Sequence, residues 1–317
     1  MKKQIFNRNH VEGYLYQHKL EKKVTGANSK SPNTPYITGT IELATDDAMT
    51  NIVSIHFTYV TALTKSGSEN RTFKTLSNII DENICSVMKH GKDKAQKFVV
   101  DTAMDVNEFY VDRDGKEELV SAMRNEGGFI SSVDALNEDE KARATFDSDI
   151  IIYKVQHFDA DEEKETPERA IVNGYVMNFR NDFLPVKYTV LNPNAIAYFE
   201  DLDASEKHPV FTRVRGQQVS TVIVTRREEE GAFGESYVRE FTSSHRDFVI
   251  NWAKKDPYEI GEDCDISPAE IKKGLADRET NLATKKKERE EYLASRNSTP
   301  SAFANNAATA DDSEFHF

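Results

Sequence analysis

Long apolar runs are missing from this 317-residue chain, and with them the roughly 20 residues that a helix needs to span a bilayer. Cysteine is nearly absent: Cys85 and Cys264 stand far apart, without metal-ligand spacing, and read as free thiols of a reducing compartment. Lys2, Lys3 and Arg8 lie near the amino end, but no apolar run follows them, so no signal peptide is expected. These absences predict a soluble, cytoplasmic protein with no membrane partner. There is no Gly-rich phosphate loop ending in Lys and Ser or Thr, no paired-His metal motif and no nucleophile elbow. Acidic residues abound, but none is spaced as a catalytic pair. The reading is a protein that is not an enzyme, with no catalytic residues, no cofactor and no metal.

What is present is charge, unevenly spread. The net charge of −13 argues at first against an anionic partner. Residues 1–100, however, hold 14 Lys and Arg against 9 Asp and Glu, whereas residues 101–170 hold 8 against 20. The acidity belongs mostly to one central block, and the first part of the chain is mildly basic.

That first part, 1–112, reads as β with one helix. Val11, Gly13 and Leu15 alternate with Glu12, Tyr14 and Tyr16, the period of a half-buried strand. A polar loop from Lys19 to Thr34 follows, carrying Lys22, Lys23 and Lys30. A second strand runs from Tyr36 to Ala44, with Gly39 marking a bulge or sharp bend. A third runs from Ile52 to Val60 and includes His56, and the loop from Thr64 to Asn70 carries Lys65 just ahead of Arg71. Helical spacing of Leu76, Ile79, Ile80, Ile84, Val87 and Met88 predicts a helix over 75–89, stopped by Gly91. Phe98–Met104 and Glu108–Val111 complete the strands. Three strands, a helix and two more strands is the order of the OB-fold, a small five-stranded barrel that binds oligonucleotides along its second and third strands and adjoining loops.

The acidic segment 113–148 reads as a solvated linker of one or two short helices; a second reading has it mimic nucleic acid in a binding groove. From 149 to 264 a second barrel of the same kind is expected. Its strands start near Ile150, Ile171 and Val186, a short helix follows Pro193, and strand runs cover Val210–Arg227, Ser236–Thr242 and Phe248–Trp252. The fold class is thus mainly β, with tandem OB-like five-stranded barrels, a C-terminal helix over 265–296 capped by Asp265 or Ser267, and a disordered acidic tail over 297–317.

In the second barrel Phe211, Arg213 and Arg215 share one face of a strand, and Tyr237, Arg239 and Phe241 share a face of the next. Unpaired nucleic acid exposes bases that stack on rings and phosphates that pair with guanidinium, so this interleaving suits it. The competing reading makes the rings core residues and pairs the arginines with nearby acids such as Glu228 to Glu230. Tyr14, Tyr16, Lys22, Lys23, His56, Lys65 and Arg71 join the candidate nucleic-acid-binding set from the first barrel.

The tail closes with Asp311, Asp312, Ser313, Glu314, Phe315, His316 and Phe317, acids followed by rings, a composition that fits a basic pocket with an apolar floor on a partner. Acidic termini also serve solubility alone. This ending resembles that of bacterial and phage single-stranded-DNA-binding proteins: a flexible polar spacer, a few acids and a terminal Phe, although His316 stands where the bacterial tip usually has Pro. The resemblance implies sequence-nonspecific binding of single-stranded DNA that protects exposed strands during replication, recombination or repair. It also implies that Asp311, Asp312, Glu314, Phe315 and Phe317 recruit replication or recombination proteins, in the host cytoplasm if the chain is viral. Two other readings stand beside it: a β-barrel interaction scaffold that does not bind nucleic acid, and an accessory subunit that touches DNA only when bound to a polymerase or nuclease.

Overall fold

The computed structural model describes residues 6–81, 84–113, 116–161, 166–230, 236–261 and 266–298, with side chains described for these apart from 221–230, 236–245 and 295–298. The expected tail residues Asp311, Asp312, Glu314, Phe315 and Phe317 lie outside the described residues, as do Cys264 and Asp265.

Among the described residues, ten strands form one continuous sheet that closes on itself twice. The first circuit uses β1 (Asn7–Val24), β2 (Pro35–Ala44), β3 (Ile52–Thr61), β4 (Lys97–Arg113) and β5 (Lys116–Val133). Its neighbours run β1-β2-β3-β5-β4 and back to β1, with β3 and β5 parallel and the other pairs antiparallel. The second circuit uses β6 (Ala144–Phe158), β7 (Arg169–Met177), β8 (Phe183–Val190), β9 (Val210–Glu230) and β10 (Ser236–Ala253). Its order, β6-β7-β8-β10-β9 and back to β6, repeats the first, with β8 and β10 as the parallel pair. Each circuit is a five-stranded OB-like barrel with a helix between its third and fourth strands. These helices are α1 (Arg71–Asp81), followed by the single turn α2 (Val87–His90), and α3 (Pro193–Asp201).

Alternation along the strands fills two cores. Val11, Leu15, Ile37, Ile41, Leu43, Ile55, Phe57 and Phe98 point into the first barrel, closed at one end by Leu76 and Ile79 of α1. Phe146, Ile150, Val172, Val186, Tyr188, Val214 and Phe248 fill the second, where Phe146 stacks on Tyr188 at 4.8 Å. The Tyr188 hydroxyl donates to Ser148 Oγ at 3.3 Å, which satisfies a fully enclosed polar group. Gly39, at φ 126°, lies against Lys19 where a β-carbon would overlap the carbonyl oxygen, so the expected bend in β2 is a bulge that only glycine accommodates.

Three sequence expectations are corrected. The supposed linker 113–148 contains β5, which pairs with β4 from Arg113↔Lys116 to Lys97↔Val133. Lys116, Glu117 and Glu118 are exposed at the tip of a long hairpin, so its composition imitates a connector. Gly127 and Gly128, at φ 64° and 110°, sit within β5 opposite the register shift between Asp101 and Ala103. The nucleic-acid-mimic reading of this segment falls with it. The first helix begins at Arg71 because Asn70 Oδ1 accepts from Thr72 N at 3.1 Å, a cap that apolar spacing does not reveal. It ends at Asp81, and Gly91, at φ 83°, closes the separate turn α2.

The C-terminal helix α4 (Pro268–Ser298) starts on a reciprocal cap: Glu270 N donates to Ser267 Oγ at 3.2 Å and Ser267 N donates to Glu270 Oε2 at 2.9 Å. Ile266, Ile271 and Leu275 close over Ile151, Met177, Phe183 and Phe211, forming a third apolar cluster on the outside of the second barrel. Further along, Arg278 pairs with Glu108, Lys286 with Glu117 at 2.6 Å, and Arg289 with Asp112 and Glu117, both at 2.6 Å. One helix therefore covers apolar residues from β6, β7, β8 and β9 of the second barrel and is pinned to the β4–β5 hairpin of the first. No helix of the described residues is long and apolar enough to cross a membrane.

The barrels also meet through main chain and buried amides. Residues 7–11 of β1 pair with 144–148 of β6, while 9–14 pair with β4 on the other side. At the seam Asn125 Nδ2 donates to Ser54 O at 3.1 Å and to Gln218 Oε1 at 2.8 Å, and its Oδ1 accepts from Asn9 Nδ2 at 2.7 Å.

Candidate functional site

Two outward sheet faces combine rings with cations. The first belongs to β1, β2 and β3 of the first barrel. The pairings Lys23↔Tyr36↔Thr61 and Lys19↔Thr40↔His56 place Lys19, Lys23, Tyr36, Thr40 and His56 on one surface. Ile37 and Val60 pair facing the core, and the register shift beside them turns Tyr59 outward. Its ring packs on Tyr36 at 4.7 Å and remains 48% exposed. Lys23 bonds Glu21 at 2.8 Å across exposed surface, a pair that contributes little to stability and yields readily to an anionic ligand.

His56 accepts from or donates to Thr40 Oγ1 at 3.2 Å, according to tautomer. Burial holds its pKa below the ordinary imidazole value, and Arg124 adds in the same direction. In the interval between its folded and unfolded pKa values the folded state then binds fewer protons, so this group leaves stability unaffected above about pH 6.5 and lowers it as pH falls through the folded pKa. His18 is shifted the same way, by burial and then by Lys89. A His56→Gln variant is expected to show a shallower decline of the urea midpoint from about pH 7 to about pH 5 than the parent. An unchanged decline would remove His56 from the acid response.

The second face crosses the junction of the barrels. Arg8 of β1 pairs with Asp147 of β6, Asp147 with Arg215 of β9, and Arg215 with Trp252 of β10. Asp147 accepts from Arg213 through both oxygens at 2.6 Å and from Arg215 Nε at 3.1 Å. This contact raises the Arg213 pKa. The Arg213 guanidinium lies 3.5 Å from the Phe6 ring centre, Arg8 lies 5.4 Å from the same ring, and Arg215 lies 4.7 Å over Trp252. Such a surface can stack planar groups and pair with anions at once.

The residues predicted from sequence divide among these faces and elsewhere. Lys23 and His56 lie on the first face. Lys22 points to the barrel side and pairs with Asp81 of α1. Tyr14 is half-buried with the ammonium groups of Lys92 and Lys97 at 5.3 and 5.7 Å from its ring, and Tyr16 sits half-buried at the β1 bulge. Lys65 and Arg71 are exposed in and after the β3–α1 loop. Arg213 and Arg215 belong to the second face and pair with Asp147, a partner the sequence reading did not consider. Phe211 is a correction: it is 3% exposed beneath Ile266 and Tyr258 and packs in the third apolar cluster, so it presents no stacking surface. The backbones of Tyr237 and Arg239 lie in β10 opposite Glu229 and Arg227; their side chains are outside the described residues.

Sequence reasoning passed over Tyr36, Tyr59, Phe6 and Trp252. For Trp252 the obstacle is a bulge. Strict alternation groups it with the core residues Phe248 and Ile250, but a register shift between Ile250 and Trp252 turns it outward, where it is 43% exposed.

A broad groove of about 1220 Å³ between α4, the β7–β8 turn and β4 is lined by Arg8, Arg180 and Lys273 together with Asp105, Glu108 and Asp277. Acidic side chains offset its cations away from Arg8, which it shares with the second face. No group of three His, Cys, Asp or Glu side chains among the described residues is placed to hold a metal ion.

Two solved structures are similar at low identity, both of single-stranded DNA binding protein from Thermus aquaticus. The wild-type protein shares 9% identity with a TM-score of 0.42, covering 82% of this chain and 97% of that one. A deletion mutant of the same protein, which also carries a point substitution, shares 10% with a TM-score of 0.42, covering 81% and 98%. No curated protein matches the sequence. The profile of the family described as YorF matches residues 5–288, the whole of both barrels and most of α4, and the chain belongs to that family.

Proposed function

We propose that this protein binds single-stranded DNA without regard to sequence, covering strands exposed during replication or recombination, and that its acidic, Phe-terminated tail recruits the proteins that act on them. The observation that carries the reading is the open face of β1, β2 and β3, where Tyr36 and Tyr59 stand outward in contact beside Lys19, Lys23 and His56. This is the part of an OB-like barrel suited to oligonucleotides. Unpaired bases offer flat apolar faces to tyrosine while the backbone seeks cations, and neither demand depends on base identity.

Fluorescence anisotropy with labelled oligo-dT tests it. Binding is expected to be tight at low salt and to weaken linearly with log salt, by a slope of about −0.7 for each phosphate neutralised. Absence of binding at low salt would overturn the proposal in favour of an interaction scaffold. Removal of Asp311 to Phe317 takes away three carboxylates, so affinity is expected to hold or rise. A marked loss on that deletion would show that the tail helps to grip the strand and would contradict the assigned roles.

A further inference from the structure

We propose that the row Arg8–Asp147–Arg215–Trp252 is a second contact site for the same unpaired strand, in which a base stacks on Trp252 and the adjoining phosphates meet Arg215 and Arg8. The inference rests on the proposed binding of single-stranded DNA and extends it from the first barrel to the junction with the second.

Three observations support the site. Trp252 is the sole tryptophan of the chain, and it is turned to solvent by a bulge while its neighbours Phe248 and Ile250 enter the core. A ring of this size is strongly favoured in a core or an interface, and bulges commonly re-aim side chains beside binding surfaces. Second, Asp147 holds Arg213 and Arg215 in fixed orientations. Arg215 keeps half of its side chain exposed while its guanidinium lies over the indole. It is therefore pre-oriented for a phosphate and needs little further ordering. Third, Lys254 stands close by, its main chain bonded to Arg213 O at 2.9 Å and its ammonium 4.9 Å from the Tyr258 ring. Arg8, Arg213 and Arg215 thus stand beside Asp147, with Asp149 opposite Arg213 as the second acid, and the surplus of cations attracts an anion.

The site shares strand β1 with the first face. The outward side of β1 carries Arg8 at its start and reaches Lys19 and Lys23 beside the tyrosine pair. Between them Glu12, on that same side, is buried and accepts from Asn137 N, so the two regions are separate patches joined by one strand of the sheet.

The sole tryptophan makes the test direct. Oligo-dT is titrated into the full chain while anisotropy of the labelled strand and indole emission are followed together. Emission is expected to be quenched and to saturate with the anisotropy, and acrylamide is expected to quench the complex less than the free protein. Trp252→Ala should weaken binding roughly 5- to 140-fold, the range for one stacked base, and Trp252→Phe should recover most of it. Arg215→Ala should reduce the salt slope by about 0.7. Normal anisotropy binding with unchanged emission and wild-type affinity for Trp252→Ala would overturn this site and leave the proposed function standing. No anisotropy change at low salt would overturn both.

Discussion

Replacing Tyr36 and Tyr59 together with alanine is expected to weaken oligo-dT binding on the order of 100-fold, because a stacked base contributes about 1–3 kcal/mol and roughly 1.4 kcal/mol is a tenfold change. Both rings lie outside the core clusters, and Tyr59 is half exposed, so the thermal midpoint should move little. The paired phenylalanine variant separates stacking from hydroxyl chemistry and should bind nearly as the parent does. Salt titration adds an independent reading: the alanine variant should lose affinity at every salt concentration while keeping its slope, since no cation has been removed. Wild-type affinity in the alanine variant would mean that the strand does not lie on this face.

The largest expected effect on stability is at Arg278. Its guanidinium bonds Glu108, a carboxylate whose side chain is only 9% exposed and which otherwise accepts from Ser121 Oγ at 3.0 Å. Arg278→Ala would leave that charge enclosed without its cation, a loss of about 3 kcal/mol, seen as a lower urea midpoint. Replacing Arg278 and Glu108 together with leucine should recover much of the loss, because the unpaired charge is then gone. Helix α4 also depends on this pair to stay on the β4–β5 hairpin, helped by Lys286 and Arg289, so the single variant should become more susceptible to proteolysis near the end of α4. An unchanged midpoint would reduce the pair to surface decoration.

Much of the architecture was legible in the sequence. Period-two runs such as Val53, Ile55 and Phe57 marked strands, Gly39 marked a bulge, and Pro193 marked the start of α3. Strand β5 was not legible, because Lys116, Glu117 and Glu118 charge both of its sides where it starts and its register breaks at Gly127 and Gly128. The binding faces were harder still. Phe211 shares a strand face with two arginines, as a stacking platform would, but residues around Tyr258 and Ile266 return from far along the chain to cover it. Trp252 had the opposite fate, since a single extra residue in β10 reversed the side to which it points. Both cases turn on pairing and coverage between distant segments, which the local pattern of a strand does not encode.

Because residues 7–11 of β1 are laddered to β6 while 9–14 are laddered to β4, no hinge separates the two halves at this point. A strand spanning both would meet them at a constant interval and take its curvature from the protein. The molecule then acts as a ruler, and lengthening an oligonucleotide should improve affinity in one abrupt step, once the second half comes within reach.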